Sequence, residues 1–266
     1  MIKTALLLHD TREEISISKL ASAFNGGKAV AAYFTCGDPT VEATVEAATA
    51  AVSAGADILF FGIPFSDPTA VDPVIQESSL RGLAAGTTTK TVMETAKGFS
   101  DKVPVVLTGY ANLVYSPGIE NFAKQCKDAG VSGVILHDVP YEEQEEFKAV
   151  FRNYDISLIS MVSPELPERI PMIAESAEGF LYIVTGAETN REDVQNAVRI
   201  ARESNPGIPC IVGCGVADAA PIETFCAEAD GAVLDYELVY IIGEYPVGAK
   251  RHISGYVERI NKLLNK

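Results

Sequence analysis

Short apolar runs alternate along the whole chain with longer stretches of helical period. The runs are Ala29–Thr35, Ile58–Phe61, Val103–Thr108, Gly133–Leu136, Ile156–Ser160, Phe180–Val184, Cys210–Gly213 and Ala232–Leu234. Runs this short, bounded by glycine and polar residues, read as buried strands. Helical stretches fill the gaps. Val41–Ala54 places Val41, Val45, Ala48 and Val52 on one face. Ile119–Ala129, Glu142–Asn153, Leu166–Ser176, Arg191–Ser204 and Ala219–Ala227 serve later gaps, with extra segments at Val74–Leu83 and Lys90–Phe99 and a last helix over Val247–Leu264. Strands that each lead into a helix predict parallel pairing through right-handed crossovers. The chain is therefore expected to be an α/β protein, a closed (β/α)8 TIM barrel.

No linker, low-complexity tract or composition break divides the 266 residues, so a single domain is expected. Residues 1–28 form a predicted leader, whose helix Ile15–Phe24 covers the bottom of a barrel over 29–266. Hydrophobic residues make up 47% of the chain, enough for a large core. The formal net charge of −15 argues against nucleic acid or an anionic membrane as partner, since both need a basic face. The apolar run at the N-terminus stops at His9 and Asp10, too early for a signal sequence. No run approaches the ~18 apolar residues of a membrane span. A cytoplasmic protein is expected. The five cysteines, Cys36, Cys126, Cys210, Cys214 and Cys226, have no disulfide spacing. Cys210 and Cys214 flank a glycine-rich strand end but read as small buried hydrophobes. With three histidines, a His-rich metal site is not expected.

Candidate chemistry sits where barrels keep it, in the loops after the strands. Thr35-Cys36-Gly37-Asp38-Pro39 ends the first strand, and Gly62-Ile63-Pro64-Phe65-Ser66-Asp67-Pro68 follows the second, with Gln76 and Arg81 on the next helix. Tyr110-Ala111-Asn112-Leu113-Val114 follows the third strand and Asp138-Val139-Pro140 the fourth. Thr185-Gly186-Ala187 follows the sixth and Gly213-Cys214-Gly215-Val216 the seventh. In this order and spacing the motifs resemble the tryptophan synthase alpha chain family, over nearly the whole chain from Gly27 onward. The resemblance implies a retro-aldol carbon–carbon lyase that cleaves indole-3-glycerol phosphate in tryptophan biosynthesis. It also implies a partner, the pyridoxal-phosphate-dependent beta-type chain, and no cofactor of the chain's own. Such a lyase needs a general acid for the ring carbon and a base or acceptor for the ring nitrogen and hydroxyl. The family supplies a glutamate at the end of strand two and an aspartate in the loop after it, and seats the phosphate on glycine-rich loops.

The chain departs from that pattern at each part. The glutamate position falls on Phe60, which transfers no proton. The aspartate position falls on Val71, with Asp72 one place later as a weak substitute. Losing one acid–base group costs about 10²–10⁴ in rate. Where the family has Gly-Ser after the last strand, this chain has Asp235, Tyr236 and Glu237, and carboxylates repel a phosphate dianion. Asp235 and Glu237 read equally as helix caps. The loop after strand six is shortened, without most of the family's Ser-Arg-x-Gly-Val run.

Several readings stay open. Tyr33, Phe60, Tyr110, Tyr182, Gly186, Gly213, Asp235 and Tyr236 form a candidate ligand pocket, or the aromatics among them fill the upper core. Asp67, Pro68, Asn112, Asp138 and Pro140 form a candidate docking rim, facing the beta chain in the family, or serve the loops as caps. His137 reads as a rim hydrogen-bonding residue or an acid–base group. The leading expectation is an alpha-chain-like protein, a pseudoenzyme that partners or regulates a beta-type chain. The alternatives are a divergent enzyme or binding protein for a non-phosphorylated, neutral or cationic aromatic ligand, with Asp72, Asp235 and Glu237 as polar contacts, and an active lyase.

Overall fold

In the computed structural model, residues 19–69, 71–186, 188–213 and 219–265 are described. Residues 15–18 of the predicted leader helix, Ala187, and Cys214, Gly215 and Val216 lie outside them. The strands are β1 (Ala29–Thr35), β2 (Ile58–Gly62), β3 (Val105–Gly109), β4 (Gly133–Leu136), β5 (Ser157–Leu158), β6 (Ser160–Val162), β7 (Leu181–Val184), β8 (Cys210–Gly213) and β9 (Gly231–Leu234). All pair in parallel, in the order β5-β4-β3-β2-β1-β9-β8-β7-β6.

The fifth barrel strand is β5 and β6 together, divided at Ile159. Its lower half pairs with β4 and its upper half with β7, so one chain segment closes the circle. Strand three starts at Val105 rather than Val103 because Pro104 has no N–H to enter a ladder.

Alternation along each strand sends residues to two cores. Ala31, Ile58, Phe60, Val106, Ile135, Ile159, Phe180, Tyr182, Ile211 and Val233 fill the barrel, with Leu20 inserted from the leader. Residues of opposite parity, such as Phe34, Leu59, Phe61 and Leu107, pack outward against the helices. Leu20 meets Gly179 just before β7, which puts it at the barrel's N-terminal end.

The helices start where the caps predict. Thr40 accepts the Ala43 N–H at 3.2 Å to open α1 (Val41–Ser53). Asp72 accepts the Val74 N–H at 2.8 Å to open α2 (Pro73–Ala84), with Pro73 in the first turn. The later helices are α3 (Thr89–Lys97), α4 (Ala111–Tyr115), α5 (Ile119–Ala129), α6 (Gln144–Phe151), α7 (Ile170–Glu175), α8 (Arg191–Ser204) and α9 (Ala219–Phe225). α10 (Tyr236–Glu244) has no counterpart among the predicted helices. α11 (Ala249–Leu264) starts two residues later than expected, after Gly248 at φ +92°. No helix among the described residues is long and apolar enough to cross a membrane.

Candidate functional site

The strand register brings the sequence-predicted positions to one end of the barrel. Tyr33 stands beside Phe60, and Thr35 beside Gly62. On the far wall Met161 stands beside Tyr182, and Val184 beside Gly213. Both pairs of strand ends have the same construction. A Cβ on Gly62 would collide with the Tyr33 phenol oxygen, and a Cβ on Gly213 with that of Tyr182. Each tyrosine therefore lies across a glycine of the next strand and leans into the barrel mouth.

Phe60 is the floor. It is 1% exposed, stacks on Phe180 at 6.1 Å and meets Tyr182 edge-on at 6.2 Å. Above it is a cavity of about 390 Å³, lined by Tyr33, Phe60, Val71, Asp72, Ile75, Thr108, His137, Met161, Tyr182, Val184, Thr185, Gly186, Val233, Asp235 and Tyr236. Of the candidate pocket residues, Tyr110 and Gly213 lie outside this lining. Tyr110 is a buried brace of the rim: its ring stacks on Phe65 at 4.6 Å and its hydroxyl accepts the Thr69 N–H at 3.2 Å. Gly213 is screened by Tyr182. Thr108, Met161, Val184 and Val233 join the lining unannounced, although their inward parity on the strands marks them; Thr185 joins it from the loop after β7.

Two carboxylates, Asp72 and Asp235, line the mouth, and Asp235 follows directly on β9. Asp235 caps α10 by accepting the Tyr236 N–H at 2.7 Å. Burial raises its pKa, the backbone hydrogen bonds oppose this, and the Asp72 charge pushes the same way as burial. Asp235 is half-exposed and lines the cavity. Burial pushes the Tyr33 phenol up to about 12, offset by its 3.3 Å contact with Thr35 and helped by the Asp235 charge. Burial holds the His137 imidazole below its ordinary value, against the pull of Asp138. The ring leans on Tyr110 at 5.6 Å. Glu237 lies in the first turn of α10 and does not line the cavity. No lysine or arginine lines it among the described residues, and no group of side chains there is arranged to hold a metal.

The loop after β7 is tied to itself and to the end of β8. The Gly186 N–H donates to Thr189 Oγ1 at 2.8 Å, and the Thr185 hydroxyl donates to the Gly213 carbonyl at 2.6 Å. A donor of the kind that would face a phosphate is thus already occupied. Outside the cavity, Asp67 accepts from the Ser66 hydroxyl at 2.6 Å, and Asp138 accepts the Ala111 N–H at 2.8 Å, bridging two strand-end loops. Asp67, Asn112, Asp138 and Pro140 are exposed at the rim, and Pro68 is half-buried.

These features define a TIM-barrel protein with an aromatic, acid-bearing cavity at the C-terminal mouth of its strands. The sequence profile described as "Tryptophan synthase alpha chain" matches residues 20–264. The chain belongs to the tryptophan synthase alpha chain family. It is 33% identical to the tryptophan synthase alpha chain of Lacticaseibacillus casei over 251 residues, covering 92% of this chain and 94% of that one. The crystal structure of tryptophan synthase subunit alpha from Legionella pneumophila superposes with a TM-score of 0.84 at 30% identity, covering 96% of this chain and 98% of that one. A chain of the tryptophan synthase complex from Pyrococcus furiosus superposes with a TM-score of 0.80 at 30% identity, covering 89% and 99%.

Proposed function

We propose that this chain is a non-catalytic member of the family that binds a beta-type chain through the rim of its barrel and adjusts that partner's activity. The observation that carries the reading is Phe60. The side chain standing at the family's glutamate position is buried in an aromatic stack and has no proton to give. Val71, at the aspartate position, is aliphatic as well. Asp72, next to it, already spends a carboxylate oxygen on the cap of α2.

The substrate's phosphate is disfavoured by the same mouth. Asp235 occupies the ground where the family presents small donors, and a dianion brought beside it meets repulsion in a partly desolvated site. The rim supports the partner half of the reading. Its loops are cross-braced by Asp138 and Tyr110 without help from any catalytic side chain. A rim that keeps its shape after the chemistry has gone can still bias a partner between conformations.

Two measurements test this. Purified chain is expected to leave indole-3-glycerol phosphate uncleaved, and titration into a tryptophan synthase beta chain is expected to form a complex and change its turnover. Cleavage at a rate near that of an ordinary alpha chain would overturn the first half. Absence of both a complex and a change in beta-chain turnover would overturn the second.

A further inference from the structure

The barrel mouth holds an open cavity. About 390 Å³ remains open above Phe60, within the roughly 300–1,000 Å³ typical of small-molecule sites. Its walls are unlike those of a site for an anion. Tyr33, Tyr182 and Tyr236 present phenol rings, while Phe60, Met161 and Val233 are apolar. Asp235 brings a carboxylate to the mouth, and Asp72 adds a second within electrostatic range of it. The described residues around the cavity contain no cationic side chain to neutralise either.

We propose that this cavity binds a small organic cation, an arylalkylammonium, with its ammonium beside Asp235 and its ring on Phe60 and Met161. The chemistry follows from the lining. A carboxylate in a partly desolvated site attracts an opposite charge more strongly than it would in water. Aromatic faces around it favour an ammonium through their negative quadrupole. The apolar floor selects a hydrophobic body of one or two rings. A phosphate or carboxylate ligand of the same shape is rejected by Asp235 and Asp72 together. Tyr33 stays protonated at neutral pH, so it donates or stacks and adds no charge. The inference is independent of rim docking, because it concerns the isolated chain and a different surface.

The test is calorimetric titration of the whole chain with three molecules sharing one body: 2-phenylethylamine, 2-phenylethanol and 3-phenylpropionate. The amine is expected to bind at least tenfold tighter than the alcohol, and the acid weakest of the three. In Asp235→Asn the amine is expected to fall to the affinity of the alcohol, while the alcohol is unchanged. Asparagine keeps the cap on α10, so the fold is expected to survive. If that variant does not fold, the ranking in the unaltered chain still decides. The proposal is overturned if the acid binds as tightly as the amine, if the amine shows no binding at millimolar concentration, or if Asp235→Asn folds and binds the amine unchanged.

Discussion

Two carboxylates stand at the ends of adjacent strands and have opposite circumstances. Asp38 follows β1 and is 0% exposed. Arg81 of α2 clasps it with two hydrogen bonds, Nε to Oδ1 at 2.6 Å and Nη2 to Oδ2 at 2.8 Å. Asp235 follows β9, projects into a cavity and is held there by a backbone N–H. One charge is matched inside the fold and ties a strand-end loop to a helix. The other is left facing a space that has no cation of its own. A buried charge costs stability unless it is paired. Asp38 therefore reads as part of the scaffold, and Asp235 as a group whose counter-charge comes from outside.

Changes to either side of this contrast are expected to differ in size. The largest effect comes from adding a third carboxylate deeper than either. Phe60→Glu removes an aromatic side chain from the stack with Phe180 and Tyr182 and puts an unpaired charge there. A loss of about 4 kcal/mol is expected, read by denaturant unfolding, with no lyase activity gained. Retention of full stability together with cleavage of indole-3-glycerol phosphate would show that the mouth is still built for catalysis.

Arg81→Ala comes next. It strands Asp38 without a partner, and breaking a buried pair this way costs about 3–5 kcal/mol. The Arg81 side chain is 34% exposed, so the lower figure is expected. A loss well under 1 kcal/mol would mean that Asp38 is as lightly held as Asp235, and the contrast would fail.

The smallest effect concerns pH. Burial, aided by the Asp72 charge, raises the Asp235 pKa above its unfolded value, which is about 3.9 for an ordinary aspartate. Between those two values the folded chain holds a proton that the unfolded chain has lost. Its contribution therefore stabilises the fold below the unfolded value and is lost as pH rises through the folded one. Asp235→Asn removes this slope, so its melting temperature is expected to decline less than that of the unaltered chain from acid toward neutral pH. Parallel curves for the two proteins would place Asp235 in ordinary solvent.

Much of the fold was legible because a parallel barrel writes its strands as short apolar runs. Ala29–Thr35, Gly133–Leu136 and Cys210–Gly213 begin and end where the pattern predicts. Ile156–Ser160 marked the fifth strand but not its division at Ile159, because pairing with different neighbours above and below leaves no trace in hydropathy. α10 was missed for a different reason. Leu238, Val239, Ile241 and Ile242 are buried at helical spacing, but the run is short and follows β9 after a single residue, so it offers few turns in which a period can be read.

Phe60 and Val71, the positions on which the resemblance places the family's glutamate and aspartate, follow from motif order alone. The open cavity does not. Whether Tyr33 and Tyr182 fill the mouth or line it depends on their reach across Gly62 and Gly213, which is a matter of side-chain direction. Tyr110 shows another case: a buried aromatic residue at a strand end, outside the lining of the main cavity, whose hydroxyl and ring brace the rim at Thr69 and Phe65.

The tyrosines of the mouth also give the molecule an optical property. The chain contains no tryptophan, so its near-ultraviolet emission comes from ten tyrosines with no indole to drain their excitation. Tyr33, Tyr182 and Tyr236 share one cavity, and a carboxylate stands among them. A guest that draws that carboxylate away from the phenols, or lies flat against them, would change the emission of the whole protein. The mouth thus carries its own reporter, readable without a label.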